Sequence, residues 1–384
     1  MRVHNQNRPR PLLGILTMSC KKRGFRGNHP NFRDIIRRGR RMGSSTYIIT
    51  VDELDLSKST VKAYKYVEQT NKWKKVIIPI PYVLYNRIPY RKHEELPRVK
   101  QLLRECLESE EVKLYNPSFF YKWTLMEWLN ASKLTKKYVP STTRYQEAAD
   151  LRKMLSKHSR VYLKPEKGKA GKGIMRIHKT RHPKLQYELK IQDRTQSQSF
   201  KFDRIAEISE ALSSYMKKKD YIIQQAVDLQ KYRGRPFDLR VLAQKNDQGR
   251  WCITGIGARI AGEESITTHV PRGGSIGDPK KMLRKVFGLT KSKQMLTKVA
   301  KASLFIAKQI ERSAGHPLGE MSMDLGIDKK EQIWFFEANA KPMKFDEPLI
   351  RKKSLDYLFQ YSRYLKNQSE ERWGQPYGYE YNRT

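Results

Sequence analysis

The stretch from Met321 to Pro342, MSMDLGIDKKEQIWFFEANAKP, constrains the fold most strongly, because its pattern predicts a β-hairpin that carries acids. Its first half alternates small or polar with apolar residues, a polar turn follows, and its second half is apolar and aromatic. Glu337 and Asn339 are two residues apart and leave the same strand face, and Asp324 on the partner strand can face them. Three oxygen ligands of the kind that Mg²⁺ prefers then converge. Ordinary solvated acids on an exposed hairpin are the alternative interpretation.

A second stretch, RVYLKPEKGKAGKGIMRI from Arg160 to Ile177, predicts two strands joined by a glycine-rich loop. A Walker loop or a dinucleotide fingerprint needs a helix after its glycines, so both motifs are disfavoured. What remains is a flap whose glycine amides and lysines can close over phosphates, with one lysine fixed on the strand beneath. The candidate phosphate-binding residues of this flap are Lys164, Gly168, Gly171, Lys172 and Gly173. A solvated basic turn is the alternative.

Seven segments of the chain form an ordered set that is specific, although each segment alone is a weak signal. They are YNRIPYR (Tyr85–Arg91), YNPSFFYKW (Tyr115–Trp123), YLKPEKGKAGKGI in the flap, YIIQQAVDL (Tyr221–Leu229), FDLRVL (Phe237–Leu242), HVPRGGSI (His269–Ile276), and MDLGID with FFEANAKP in the hairpin. Together they resemble the ATP-grasp superfamily and, within it, the YheC/YheD family of endospore coat-associated proteins. The resemblance covers most of the chain. It implies an α/β (α+β) ATP-grasp fold, with ATP and Mg²⁺ as cofactors.

The 384 residues suggest two or three lobes, and an apolar content of 38% is sufficient for real cores. Residues 1–116 alternate strand and helix patterns, which favours an open, largely parallel α/β sheet, and the resemblance identifies them as a pre-ATP-grasp lobe. Residues 117–345 are predicted to form the ATP-grasp nucleotide-binding domain, with the flap around 164–177. Residues 346–384 are predicted to contain a closing helix, Leu349–Tyr364, and then a mobile polar tail from Glu370 to Thr384.

Two features outside the metal hairpin and the flap are interpreted as surface features. The corner of Tyr85, Asn86 and Arg87 follows a strand of the first lobe. A surface turn is the preferred interpretation of this corner, and the lining of a crevice is the alternative. His269, taken alone, is typical of a surface histidine.

The charge balance predicts an anionic partner. Lysine and arginine number 78 against 39 for aspartate and glutamate, which gives a formal net charge of +39. Nucleic acid, an acidic polymer and an anionic surface all satisfy this charge, and composition does not choose among them. No recognised nucleic-acid-binding motif is present, and the basic residues are spread along the whole chain.

The cysteines and the apolar runs predict a cytoplasmic protein. The three cysteines are odd in number and share no metal-binding or redox spacing, which indicates reduced thiols. No apolar run reaches membrane-spanning length, and the early run Leu12–Leu16 is short enough to be a buried strand. The family resemblance adds a possible association with components of the endospore coat.

The resemblance also implies where the nucleotide binds. Lys122, which opens a predicted helix, becomes the first phosphate-binding lysine and Lys164 the second, although a solvated charge at a helix start is the alternative for Lys122. The strand from Tyr221 ends where adenine docks in the superfamily, and the nearby Asp228 is the ribose candidate. The residues predicted to contact the base edge are Gln225, Ala226 and Val227. Gln225 stands where many relatives carry an acid, and its amide can still pair with the base.

Three arginines are predicted to handle the transferring phosphoryl group. Asp238 and Arg240 share one face of a strand, and a structural salt bridge is the alternative interpretation of that pair. The resemblance implies that Arg240 reaches the phosphate and that Asp238 holds the Arg240 side chain in position. Arg259 on the return strand and Arg272, beside two glycines, can join it, because an arginine fork binds two phosphate oxygens.

The expected activity is that of an ATP-grasp ligase-like enzyme. Such enzymes activate a carboxylate as an acyl phosphate that an amine or thiol then attacks, and this chain shows no Ser/His/Asp or Cys/His constellation. The alternative is a non-catalytic coat-associated protein that binds ATP or polyanions. The acceptor substrate does not follow from the sequence.

Overall fold

The computed structural model describes residues 10–168, 171–192, 196–216 and 219–373. Within these residues, three six-stranded sheets follow one another along the chain, with a two-stranded ribbon beside the first. None of the helices in this part of the chain is both long enough and apolar enough to cross a membrane.

The first sheet lies in the first lobe. The elements of this lobe are, in chain order, β1 (Leu13–Thr17), β2 (Ser19–Cys20), β3 (Gly24–Phe25), α1 (His29–Arg41), β4 (Thr46–Thr50), β5 (Thr60–Val67), β6 (Lys72–Pro79), β7 (Val83–Asn86), α2 (Arg91–Glu94), α3 (Pro97–Glu108) and β8 (Lys113–Tyr115). The strand order is β6-β5-β4-β1-β7-β8. The pairs β4–β1, β1–β7 and β7–β8 are parallel, whereas β4–β5 and β5–β6 are antiparallel. The expected open sheet therefore carries an antiparallel hairpin at one edge.

The second sheet is entirely antiparallel. The next elements are α4 (Lys122–Asn130), a 3₁₀ turn (Lys136–Tyr138), β9 (Thr142–Tyr145), α5 (Ala148–Lys157), β10 (Arg160–Pro165), β11 (Met175–Lys179), β12 (Tyr187–Gln192), β13 (Ser197–Phe202), α6 (Ile205–Met216) and β14 (Tyr221–Gln225). The strand order is β13-β12-β11-β10-β14-β9. Val161 and Leu163 of β10 face a core shared with α5 and α6, so the alternate residues Tyr162 and Lys164 face the opposite side. The glycine-rich stretch joins β10 to antiparallel β11, which confirms the predicted hairpin.

The third sheet contains the hairpin from which the fold was predicted. Its elements and the last helix are β15 (Lys231–Tyr232), β16 (Arg235–Lys245), β17 (Trp251–Ile260), a 3₁₀ turn (Val270–Arg272), β18 (Ser275–Gly277), α7 (Pro279–Phe287), α8 (Leu289–Ala314), β19 (Glu320–Ile327), β20 (Ile333–Asn339) and α9 (Pro348–Trp373). The order is β18-β17-β16-β19-β20, with β15 paired to β16. Helices α4, α7 and α8 cover one face with the largest apolar core of the protein.

The chain returns to its first lobe at the end. Phe359 and Leu365 of α9 join the core that contains Leu13 and Ile15 of β1. The predicted closing helix is therefore longer than expected, and the tail predicted from residue 370 begins inside it. Residues 374–384 of that tail lie outside the described residues. The domain boundaries at 116 and 345 stay predictions.

The interpretation of Tyr85, Asn86 and Arg87 as a surface turn is wrong, because all three side chains are buried. Arg87 Nη1 lies 3.3 Å from the carboxylate of Glu320 on β19, and Tyr85 donates its hydroxyl to the same carboxylate. Asn86 donates to Glu94 at 2.8 Å. A buried charge is stable only when it is paired and hydrogen-bonded, so these contacts join the first lobe to the third sheet.

Asn116 completes this junction with its backbone in the left-handed region at φ 57°. Its side-chain oxygen accepts from the amides of Gly319 and Glu320 at 2.8 and 3.2 Å. Its side-chain nitrogen donates to the carbonyls of Glu320, at 2.8 Å, and Ala340. Asparagine tolerates this backbone conformation better than most residues.

We expect Asn116→Ala to lower the free energy of unfolding by about 3 to 5 kcal/mol, because it leaves several buried backbone groups unpaired. Chemical denaturation monitored by circular dichroism measures the change. Asn116→Gly keeps the backbone conformation accessible and loses only the hydrogen bonds, so it is expected to be milder by about 1 kcal/mol. Exposed Asn130→Ala is the control. Equal stability of the Asn116 and Asn130 alanine variants would show that the junction contributes little.

Candidate functional site

A cavity of about 360 Å³ lies between the second and third sheets. One wall is the face of β10, β11 and β14 that points away from α5 and α6, and the other wall comes from β16, β19 and β20. The predicted site residues that line it are Lys122, Lys164, Gln225, Val227, Asp228, Asp238, Asp324 and Glu337. Its volume is within the range of small-molecule sites.

Two lysines reach this cavity from different elements. Lys122 begins α4, and its Nζ lies 3.3 Å from a carboxylate oxygen of Glu337 and 3.4 Å from the carbonyl oxygen of Gly168 in the flap. Lys164 on β10 donates to the side chain of Gln224 at 2.6 Å. Burial lowers the pKa of Lys164 to about 8, although the charge of Glu337 opposes this shift. Both ammonium groups therefore face the acidic wall.

The acidic wall is formed by Asp324 and Glu337, which are direct partners across β19 and β20. A β-bulge follows Asp324. Burial raises the pKa of Asp324, and Arg240, 3.8 Å away, opposes this shift. Burial also acts to raise the pKa of Glu337, but Lys122 and His269 outweigh it and hold that pKa well below its usual range. The hairpin therefore keeps at least one negative charge in the cavity.

His269 is a further group beside these carboxylates. One ligand atom each of His269, Asp324 and Glu337 lies within 4.8 Å of the others. Asn339 pairs with Ser322, two residues further along the hairpin, and it does not line the cavity. The surface interpretation of His269 is wrong, since it lies in the cavity wall with its Nε2 3.8 Å from Glu337 Oε1.

The side chains of Asp238, Arg240 and Arg259 lie on the cavity side of the third sheet. Asp238 pairs with Arg259 across β16 and β17, and Arg240 pairs with Asp324 across β16 and β19. Thr268 donates its hydroxyl to Asp238, whose pKa is nevertheless raised to about 7 by burial and by the charge of Asp324. Asp238 lines the cavity, whereas the two arginines lie behind its lining and contact other acids. Arg240 contacts Asp324, and Arg259 contacts Glu347 at 3.6 Å.

The predicted adenine end lies where β14 leaves the sheet. The amides of Gln225 and Ala226 are already used, because they donate to Ser141 at 2.8 Å and to Arg160 at 3.0 Å. The Gln225 side chain accepts from the amide of Ser141 at 3.2 Å. Asp228 is at the rim, 63% exposed, with Lys329 Nζ 2.8 Å from it. Of the predicted base-contacting residues, Gln225 and Val227 line the cavity.

The described residues of the flap lie at one end of the cavity. Gly171 and Gly173 both have positive φ, at 69° and 78°, which a residue with a side chain adopts only with strain. A Cβ at Gly171 would lie 3.2 Å from His269 Nδ1 and 3.3 Å from Arg272 Cγ. The flap and the 269–272 loop are therefore in close contact. Lys172 points outward and is exposed.

The residues present fit both Mg²⁺ and phosphate. Asp324 is 7% exposed and its Oδ1 has no hydrogen-bond partner within the described residues, and the same holds for Oδ1 of Asp238. Buried oxygens of this kind are expected to bind a cation or a donor. The lysine side chains opposite are the donors that phosphate oxygens require.

Sequence reasoning missed the cavity-lining His269, Tyr162 and Arg176. Tyr162 and Arg176 are partners across β10 and β11, on the same face as Lys164. The alternation of β10 contained this signal, since Tyr162 and Lys164 are two residues apart. His269 had no such local signal, because its neighbours in the site are distant in sequence.

A family model described as YheC/D like ATP-grasp matches residues 111–365. The endospore coat-associated protein YheD of Bacillus subtilis (strain 168) is 26% identical over 363 residues, which cover 90% of this chain and 78% of YheD.

Two solved structures show a similar fold. D-alanyl-alanine synthetase A from Vibrio cholerae O1 biovar eltor str. N16961 has a TM-score of 0.54 at 13% identity, covering 93% of this chain and 98% of that one. The ATP-grasp ligase PsnB, complexed with minimal precursor, Mg and ADP, has a TM-score of 0.51 at 13% identity, with the same coverage. The ATP-grasp fold predicted from the sequence is confirmed. Because the family model spans well over half of the residues, this chain belongs to the YheC/D-like ATP-grasp family.

Proposed function

We propose that this protein binds Mg-ATP in the cavity between its second and third sheets and activates a carboxylate as an acyl phosphate. The main supporting observation is that Lys122 and Lys164 line the same cavity as Asp324 and Glu337, with Lys122 Nζ 3.3 Å from Glu337. Cations and acids around one cavity suit a ligand that brings phosphates and a metal together. The PsnB complex, which holds Mg and ADP on a similar fold, supports this proposal.

The nucleotide is held from three sides. Lys122 and Lys164 bind phosphate oxygens as point charges, and the flap covers the phosphates. The flap residues in this role are Gly168, Gly171, Lys172 and Gly173. At the other end, the residues that contact adenine and ribose are Gln225, Ala226, Val227 and Asp228. Since the amides of Gln225 and Ala226 already donate to other backbone carbonyls, base pairing falls to the backbone of Val227.

The metal is held by Asp324 and Glu337, with Asn339 as the further oxygen ligand proposed from the sequence. Bound Mg²⁺ supplies neutralisation of the phosphate charge. Arg240 contacts Asp324 and lies beside this centre. Asp238 accepts a hydrogen bond from Thr268 and holds the neighbouring Arg240 in position.

Catalysis in this proposal is positioning and charge stabilisation. A substrate carboxylate oxygen attacks the γ-phosphorus, the bond to the bridging oxygen breaks, and ADP leaves. Arg240, Arg259 and Arg272 stabilise the charge that spreads over the equatorial oxygens. An amine or thiol then attacks the acyl carbon and displaces phosphate. No nucleophile of the protein takes part.

A second candidate function is a coat-associated protein without turnover, which binds ATP or polyanions. The relative YheD is named as endospore coat-associated, and the net charge of +39 suits an anionic polymer or substrate. Such a protein keeps the nucleotide site as an inherited structure. Substrate-stimulated turnover distinguishes the two functions.

We expect Glu337→Gln and Asp324→Asn each to weaken Mg-ATP binding at least about tenfold, because each removes a charge at the metal. Isothermal titration calorimetry with and without Mg²⁺ measures the loss. The control is Glu210→Gln, an exposed residue of α6, which makes the same chemical change away from the cavity. If all three variants bind as the wild type does, the metal assignment is wrong.

We expect Mg-ATP affinity to fall as the pH rises above 8. Only the charged form of Lys164 attracts phosphate, and its pKa of about 8 without ligand means that above pH 8 binding must take up a proton. The affinity then falls by up to about tenfold per pH unit. Calorimetry in buffers of different ionisation enthalpy measures this uptake. Lys164→Met is expected to abolish the uptake at pH 8.5, and unchanged uptake would assign it to another group.

We expect one class of carboxylate to stimulate ADP release and to give a hydroxamate when hydroxylamine traps the acyl phosphate. The screen covers free amino acids, acidic peptides and cell-wall fragments. Arg240→Gln is expected to lower the stimulated rate at least about 100-fold, and Arg250→Gln, exposed on the β16–β17 turn, to leave it unchanged. Mg-ATP binding without stimulation by any compound would favour the second candidate function.

A further inference from the structure

The loop that carries His269 is held in place on both sides of the histidine. Thr268 donates its hydroxyl to Asp238, and the amide of Arg272 donates to the carbonyl of His269 at 2.8 Å. Nδ1 of the ring faces the flap at Gly171, while Nε2 faces Glu337. The ring position therefore follows from backbone and neighbouring contacts and not from the Glu337 ion pair alone.

The distances suit a single ion. The ligand atoms of His269, Asp324 and Glu337 lie within 4.8 Å of one another. Metal–ligand distances of about 2.1 Å place two ligands of one octahedral ion about 3 to 4.2 Å apart. Small side-chain adjustments therefore bring all three atoms onto one centre. Asp324 is 7% exposed and belongs to this group, and its Oδ1 has no hydrogen-bond partner in the described part of the chain, although Arg240 Nη1 lies 3.8 Å away.

The donor set differs from the one that Mg²⁺ prefers. Mg²⁺ takes oxygen ligands and keeps several waters, whereas an imidazole nitrogen is a good ligand for first-row transition ions. Nε2 coordinates when the ring is neutral and Nδ1 carries the proton, and Nδ1 points away from the acids toward the flap. The nitrogen is thus available on the side where the carboxylates lie.

We propose that His269 is a nitrogen ligand of the cavity metal, so that the His269, Asp324 and Glu337 centre prefers a divalent transition ion, such as Mn²⁺, to Mg²⁺. This inference rests on the proposed function, because it uses the same two carboxylates. It adds a nitrogen ligand to the oxygen ligands of the proposed metal site. It also gives the flap a further role, because Gly171 packs against the ring that binds the metal.

The test uses the full chain with Mn²⁺ alone, without nucleotide. Pulsed electron paramagnetic resonance detects an imidazole nitrogen bound to Mn²⁺ as a ¹⁴N modulation. Protein grown with ¹⁵N-labelled histidine must convert that modulation to the ¹⁵N pattern. We expect His269→Gln to remove the signal and to raise the Kd for Mn²⁺ at least about tenfold. The Kd for Mg²⁺ is expected to rise less than about threefold.

Two control variants make the outcomes decisive. His158→Gln, at the end of α5 and outside the cavity lining, is expected to change nothing. Glu337→Gln is expected to remove Mn²⁺ binding. Binding of Mn²⁺ that depends on Glu337 but gives no histidine nitrogen modulation would overturn this inference and leave the proposed function intact. An absence of any Glu337-dependent binding of Mn²⁺ alone would also overturn this inference, whereas the Mg-ATP titration of the same variant decides the proposed function.

Discussion

The pair of carboxylates on β19 and β20 is the constraint on which the site depends. Asp324 is buried and Glu337 is partly buried beside it in a hairpin, and two like charges in such a place are costly unless cations surround them. Lys122 from α4 and His269 from the 269–272 loop contact Glu337, and Arg240 contacts Asp324. Each of these cations comes from a different element. The position of the acids therefore requires the helix, the loop and the central strand to meet at one place.

The junction between the lobes applies the same principle at a second site. Glu320 begins β19, and its buried carboxylate accepts hydrogen bonds from Tyr85, Arg87 and Gln244. Because Glu320 and Asp324 lie on one strand and one face, the first lobe is anchored four residues from the acidic pair. Lys341, two residues after β20, is paired with Glu94 of the first lobe. Both strands of the hairpin are thus tied to the first lobe close to the cavity.

The high positive charge has a local consequence as well as a global one. Within the cavity, Lys122 pairs with Glu337, whereas Lys164 contacts the neutral amide of Gln224. Its pKa of about 8 reflects burial without a direct anionic partner. An incoming phosphate is such a partner. The interaction of Lys164 with this phosphate is therefore expected to contribute to the affinity for anionic ligands. Most of the remaining charge lies on exposed side chains and sets the long-range field.

The sequence by itself determined the family, the hairpins and the paired acids. Residues two apart on a strand share a face, and the strand pattern after the flap glycines disfavours the motifs that need a helix there, so local periodicity was sufficient for these features. Tertiary structure alone decided that Arg87 is buried, that His269 stands beside Glu337, and that α9 returns to the first lobe. The physical reason is that these placements depend on contacts between segments far apart in sequence. The local sequence around Arg87 or His269 does not predict which distant segment will pack against that side chain.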